Sequence, residues 1–261
     1  MYDNKVLDMN RIYAAISADI VSSTSLSKDD FIQLTEQIKK MLDRLAKEYD
    51  GFWGRLVHGD SIECVIENPK NALRIALLLK TFVKSFEPYG DKADTMFEQI
   101  DLRLAIGIGR MRTVDKNLDV MDGDAIYLSG RALASTKNIF IDNFQLKVAP
   151  YISISSNYCM TIMVQFLGRR IEKATRRQCK TLFYRLQCYK DNDVAKIMGI
   201  SRAEVNNNLQ CLGWDLIEHS IILFENYTFK LSTGLFPPKE SQNPTEKITL
   251  LNCNTCIFYY K

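Results

Sequence analysis

The sequence predicts an α/β domain followed by an all-α domain, on three observations. Up to about residue 150, apolar runs of strand length alternate with segments of helical period. Past Pro150 there is no convincing strand, and helical patterns follow one another across short turns. Between residues 193 and 212 two such helices are separated by a glycine and a fresh N-cap.

Taken in order, Ile12 to Ile20 reads as a buried strand that ends at Asp19. Ser27 is a good N-cap, and Phe31, Leu34, Ile38, Leu42 and Leu45 follow at helical spacing, to about Tyr49. Phe52–Val57 and Ile62–Ile66 flank the tight segment His58-Gly59-Asp60-Ser61 and read as a hairpin. Pro69 opens a second helix containing Ala72, Ile75, Ala76, Leu79, Phe82 and Val83. Ile100–Ile108 is a further strand, 110–122 a loop or irregular hairpin, and a third helix starts near Asp124. Residues 139–150 supply the last strand. The order β-α-β-β-α-β is that of a ferredoxin-like α/β domain with helices covering one side of the sheet. The expected division is 1–152, a helical domain over 153–230, and an appendage over 231–261 with a terminal hairpin.

Hydrophobic residues make up 46% and charged residues 25% of the chain, ordinary values for a soluble globular protein. No apolar stretch approaches the roughly 20 residues that a membrane span needs. The start, Met1-Tyr2-Asp3-Asn4-Lys5, lacks the layout of a secretion signal. Seven cysteines without framework spacing are expected to be reduced thiols, so a cytoplasmic location is expected, without a membrane partner. Cys253 and Cys256 form one CxxC, a weak zinc signal without a second pair. The net charge is +3, and residues 151–230 hold 11 Lys/Arg against 7 Asp/Glu. That basic half suits phosphate contacts or, equally, a solvated helix face.

Asp19 and Asp60 each stand at or just past the end of an apolar run. Carboxylates brought together from two strands can hold Mg²⁺ or Mn²⁺ against phosphates, because hard cations take oxygen ligands. Each also has an ordinary reading, Asp19 as a turn residue and Asp60 as the hairpin's turn. Gly107 and Gly109 make no dinucleotide fingerprint and read as positions that permit close strand packing.

The blocks Ala18-Asp19-Ile20-Val21-Ser22-Ser23-Thr24, Gly59-Asp60 and Gly123-Asp124-Ala125-Ile126-Tyr127-Leu128-Ser129-Gly130-Arg131 resemble the three signature blocks of class III nucleotidyl cyclases. With Ile106-Gly107-Ile108-Gly109 and the run from Asp122 to Leu133, they are similar, more closely, to the bacterial SatD-like family over roughly residues 10–230. The resemblance implies a palm domain with metal at Asp19 and Asp60. It also implies phosphate contacts from the backbone of Ile20, Val21, Ser22, Ser23 and Thr24, and Arg131 as the charge-stabilising group if the site is active. Departures from the pattern point the other way. Tyr127 stands where an asparagine orients ribose, Leu56 where a lysine reads the base, and Val120 where an acid does, with Asp119 and Asp122 beside it. Phosphoryl transfer depends on such positioning, so the resemblance implies a degenerate domain.

In the helical half, Thr175 and Gln178 form a capping box. Ala195, Gly199 and Val205 have the spacing of a helix-turn-helix, with a second helix over Arg202–Leu212. Its exposed candidates for DNA are Arg202, Asn206, Asn207 and Gln210, with Ala203, Glu204 and Asn208 also outward. Arg169, Arg170, Lys173, Arg176 and Arg177 would meet phosphates. The expected function is a DNA-binding transcriptional regulator, working as a homodimer, whose degenerate cyclase-like domain senses a nucleotide or pairs subunits. The alternatives are an active metal-dependent nucleotidyl cyclase or transferase and a protein-interaction scaffold.

Overall fold

β1 (Ile12–Val21) is the central strand, and every residue from Ile12 to Ala18 is buried. That explains its continuous apolar run, since both faces of the strand are covered. The computed structural model describes residues 11–57, 59–88, 100–135, 143–149 and 154–233. A short 3₁₀ turn, Ser23–Ser25, leads to α1 (Lys28–Glu48), then β2 (Phe52–Val57) and β3 (Ser61–Ile66). A second 3₁₀ turn, Pro69–Asn71, enters α2 (Ala72–Lys84). β4 (Asp101–Asp115), β5 (Val120–Gly123), α3 (Asp124–Ser135) and β6 (Phe144–Val148) complete the α/β part. The six-stranded sheet has the order β2-β3-β1-β4-β5, with β6 parallel to β4 and the other pairs antiparallel. The β2-β3-β1-β4 core is the expected ferredoxin-like arrangement, curled and extended by a hairpin and a last strand.

Alternation along β1 decides what covers each face. Ile12, Ala14, Ile16, Ala18 and Ile20 share a core with Leu34 and Ile38 of α1 and Leu73 and Ala76 of α2. Tyr13 and Ala15 face the other way, against Ala125 of α3. The sheet is therefore covered on both faces, not on one. Gly107 is what lets α3 lie flat: a Cβ there would stand 2.1 Å from the Ala125 carbonyl oxygen and 2.5 Å from the Ser129 nitrogen. Its close approach is to a helix rather than to a neighbouring strand. The hydroxyls of Ser17 and Ser129 meet at 2.8 Å across that contact, sealing two polar groups in a buried place.

β4 runs well past the expected Ile108. Its outer half pairs only with β5, carries a register shift between Met111 and Thr113, and exposes Arg110, Arg112 and Thr113. The start of β4 is pinned by charge. Lys80, fully buried, donates to Asp101 Oδ1 at 2.9 Å and to the Leu102 carbonyl at 2.7 Å, while Lys84 Nζ stands 3.8 Å from Asp101 Oδ2. Such ions persist in a core only because each is answered.

The helical part comprises α4 (Ile154–Glu172), α5 (Arg176–Leu186), α6 (Asp191–Met198), α7 (Arg202–Leu212) and α8 (Trp214–Thr233). α5 opens with the expected capping box of Thr175 and Gln178. α4 packs on β6, α5 on α2, and α8 on the Pro69–Asn71 turn. Val164, Leu167, Leu182, Phe183, Ile221 and Phe224 belong to the same apolar cluster as the sheet and α1. A change in sequence character near residue 150 is therefore crossed by an unbroken core. α6 and α7 have a small core of their own, made of Val194, Ala195, Val205 and Leu209. Among the described residues no helix is long and apolar enough to cross a membrane. His58 and the appendage beyond Thr233, with Cys253 and Cys256, lie outside the described residues.

Candidate functional site

Sheet parity puts Asp19 on the same face as α3, but past the end that α3 covers. The ladders set Arg55 opposite Glu63, Val57 opposite Ser61, Ser61 opposite Asp19, and Asp19 opposite Arg103. The result is a half-buried polar strip across β2, β3, β1 and β4. Asp60 stands beside Ser61 at the hairpin turn, and its carbonyl accepts the Ile20 amide at 3.0 Å. The two sequence-predicted acids thus reach one end of the sheet.

Each oxygen of Asp19 already faces a group of this chain. Ser61 Oγ donates to Oδ1 at 2.8 Å, and Arg103 Nη2 stands 3.4 Å from Oδ2. Arg103, Ser61 and Glu63 were not among the expected site residues. The alternation of Asp101, Arg103 and Ala105 marks one side of a strand, but only the ladder register brings Arg103 to Asp19. Among the described residues no cluster of three or more His, Cys, Asp or Glu could hold a metal. Two carboxylates hold Mg²⁺ or Mn²⁺ when phosphate oxygens and water complete the shell. A metal at Asp19 would have to take Oδ2 from Arg103 and Oδ1 from Ser61.

The loop after Asp19 differs in part from the expectation of free amides. Val21 pairs within the β1–β4 ladder, opposite Asp101. The Ile20 amide is taken by Asp60, as above, so it is not open to a phosphate. Ser22 adopts φ 61, the left-handed region that costs a non-glycine residue about 1–2 kcal/mol. It turns the chain into the Ser23–Ser25 turn, whose own bonds run from the Ser25 and Leu26 amides to Ser22 and Ser23. The first amides of such a turn have no acceptor within it, which leaves Ser23 and Thr24 as the donors at this corner.

The acids beside Val120 are engaged elsewhere. Arg55 binds Glu63 at 2.7 Å and Asp119 Oδ1 at 2.9 Å, and its guanidinium lies 5.7 Å from the Trp53 ring centre. Burial opposes its charge, but the hydrogen bonds it donates to Glu63 and Asp119 outweigh it and raise its pKa. Asp122 accepts from Tyr127 Oη at 2.6 Å and is ion-paired with Arg112. Those hydrogen bonds, Tyr127's first, hold the Asp122 carboxyl below its usual range. Arg131 is exposed. Ala125, Ser129, Ala132 and Leu133 turn toward the sheet, so Arg131 points away from it.

On the helical side, α6 ends at Gly199 with φ 66, and Ser201 caps α7 by accepting the Glu204 amide at 3.1 Å. Arg202, Asn207 and Gln210 are exposed and Asn206 half-exposed, as expected. Asn208 is not outward: its amide donates to Thr181 Oγ1 of α5 at 3.1 Å. The upstream basic residues divide. Arg170 donates to the Leu212 carbonyl at 3.2 Å and to that of Cys211, closing the end of α7. Arg177 pairs with Glu204 at 2.9 Å, and Arg169 with Glu172 at 3.2 Å. Lys173 is exposed and Arg176 half-buried.

A cavity of about 1080 Å³ opens away from Asp19, where the end of α1 and the Pro69–Asn71 turn face the α5–α6 connection and α8. Its charges largely answer one another. Arg44 pairs with Glu48 at 2.9 Å, and Arg74 reaches the Leu186 carbonyl at 3.2 Å and Glu225 at 3.7 Å. Burial pushes the Glu225 carboxyl up from its usual range.

No family model and no curated protein matches the chain. Among solved structures it is similar to the GGEEF domain of a diguanylate cyclase from Vibrio cholerae, at 17% identity over 54% of this chain and 85% of that one, TM-score 0.38. A bacterial light-regulated adenylyl cyclase matches at 16% over 52% of this chain and 75% of that one, TM-score 0.38. The catalytic core of a rhodopsin-guanylyl cyclase matches at 19% over 48% and 72%, TM-score 0.38. These neighbours are nucleotidyl cyclase domains. Overlap this loose carries no argument about function, and the fold rests on the strand order above.

Proposed function

We propose that the protein is a DNA-binding regulator whose α/β part senses a metal–phosphate or nucleotide ligand, or pairs subunits. The observation that carries this reading is the outer face of α7. Arg202, Asn206, Asn207 and Gln210 stand there without side-chain hydrogen bonds or ion pairs among the described residues, after a glycine turn and on a helix braced by α5. Asparagine and glutamine match adenine edges, and arginine matches guanine or phosphate. A dimer would double one helix's few contacts, and Arg131, turned away from its own sheet, would serve Asp19 only from a second copy. Ligand held by Asp19, Asp60 and the Ser23–Thr24 corner with Mg²⁺ or Mn²⁺ would then alter subunit pairing. The test is duplex-DNA binding by fluorescence anisotropy at about 50 mM salt, where phosphate contacts are strong. Salt-dependent binding that weakens in Arg202→Ala supports the reading, and its absence overturns it.

A second reading is a metal-dependent nucleotidyl cyclase, favoured by the approach of Asp19 and Asp60 to one sheet end. Against it stand Leu56, an apolar residue where a base-reading lysine is expected, and Asp119 and Asp122, both already engaged. Cyclic product from Mg²⁺ or Mn²⁺ with a nucleoside triphosphate, abolished by both Asp19→Ala and Asp60→Ala, would establish it.

A further inference from the structure

We propose that the uncharged segment 248–260 of this chain seats on the outer face of α4. The inference is independent of the DNA-binding reading.

α4 is apolar on two sides. Met160, Val164, Leu167 and Ile171 turn inward to the shared core. On the other side Ile154, Tyr158, Ile162 and Phe166 recur every four residues and so line one stripe. Ile154 is 81% exposed, Tyr158 66% and Phe166 72%, with Ile162 half-buried. No charged residue occurs from 154 to 168. A surface helix normally carries charges on the side away from the core, whereas a helix apolar all round is normally covered. The described residues leave this stripe bare.

Size and position choose the occupant. The three most exposed side chains offer on the order of 400 Å², well short of the roughly 800 Å² that each partner of a stable complex buries. A second copy therefore gains too little, while a segment of the same chain is already tethered and gives up less freedom on docking. Position favours the segment that follows α8. Tyr227 Oη of α8 donates to Asn157 Oδ1 in the first turn of α4, so the two helices meet there. α8 ends at Thr233, about 9 Å further along, so the chain beyond it starts out near Ile154.

Residues 234–247 carry three prolines and four charges. Extended, they span up to roughly 45 Å, against a stripe about 18 Å long, so every point of it is in reach. Residues 248–260 then bring two isoleucines, two leucines, one phenylalanine, two tyrosines and no charge. Apolar surface leaves water on both sides of such a contact, and no charge is buried by it.

The experiment follows hydrogen exchange of residues 248–260 in the full chain by mass spectrometry, across a dilution series. It compares the unaltered protein with a Tyr158→Ser/Phe166→Ser variant. The unaltered chain should exchange these amides at least about tenfold more slowly than an open chain does, and the variant should lose that protection. Both substituted residues are exposed, so the variant should melt with the unaltered protein. If it does not, Phe258→Ser/Tyr259→Ser is read instead, through alkylation of Cys159, which is exposed beside Tyr158 on α4. Its rate should rise at least about tenfold when the segment lifts away. Equal exchange in unaltered and variant protein, or an alkylation rate that does not change, overturns the proposal. So does protection that vanishes on dilution in step with a dimer seen by sedimentation, which assigns the stripe to a second copy.

Discussion

The sheet strip around Asp19 and the outer face of α7 are both polar, yet their polar groups are answered in opposite ways. On the strip, Asp19 meets Ser61 and Arg103, and Arg55 meets Glu63 and Asp119. On α7, Asn208 and Glu204 bind Thr181 and Arg177 of α5, while Arg202, Asn207 and Gln210 are exposed. Self-answered polar groups hold a shape, whereas unanswered ones are free to recognise something else. That difference leaves the more open polar face in the helical half, although the more specific sequence signals lie in the α/β half.

Substitutions can test the contrast. The largest effect belongs to Asp101→Ala, which strands Lys80 and Lys84 in the core and should cost about 3–5 kcal/mol in urea unfolding. A loss under about 1 kcal/mol would mean the lysines find water instead. Gly107→Ala comes next. A methyl group 2.1 Å from the Ala125 carbonyl must push α3 off the sheet, at about 1–3 kcal/mol by thermal melting. Gly199→Ala meets no atom within 4 Å, so its cost of about 1–2 kcal/mol is purely the left-handed backbone. Asn207→Ala, one helix away, should stay within about 0.5 kcal/mol while changing DNA preference. If it instead destabilises like Gly199→Ala, α7 does not present a free face.

The smallest effect is a titration. Tyr127→Phe removes the leading hydrogen bond that keeps the Asp122 carboxyl below 3.8. A depressed acid contributes stability above its unfolded value and loses it as pH falls through the folded one. In the variant the contribution should therefore be smaller and its loss complete at a higher pH, seen as an upward shift of the Asp122 carboxyl titration by NMR. An unmoved signal would assign the depression to Arg112 and the Gly123 amide.

Local signals in the sequence were legible where one residue's chemistry decides the outcome. Ser27, Thr175 and Ser201 cap the helices they were expected to cap, and Gly199 breaks the chain where only a left-handed residue fits. The β1 run announced a central strand because both its faces are buried. The outer half of β4 was legible only as a loop or irregular hairpin, since a hairpin arm in solvent has no apolar run to show. The partners of Asp19 were also missed. Arg103 is 84 positions away, and only strand register brings the two together. Ser17 and Ser129 are separated by 112 positions, so helix and strand periods read one at a time do not reveal that both faces of the sheet are covered.

The unbroken core shared by the sheet, α2, α5 and α8 has a consequence for cooperativity. Helices that complete another element's interior do not melt alone, so α5 and α8 should unfold in the same transition as β1. Cutting the chain at residue 152 would bare Leu73, Ala76 and Leu79 on one piece and Leu182, Phe183 and Phe224 on the other. An α/β part and a helical part joined in this way share one folding equilibrium, and any ligand that stabilises the first would also raise the melting temperature of the second.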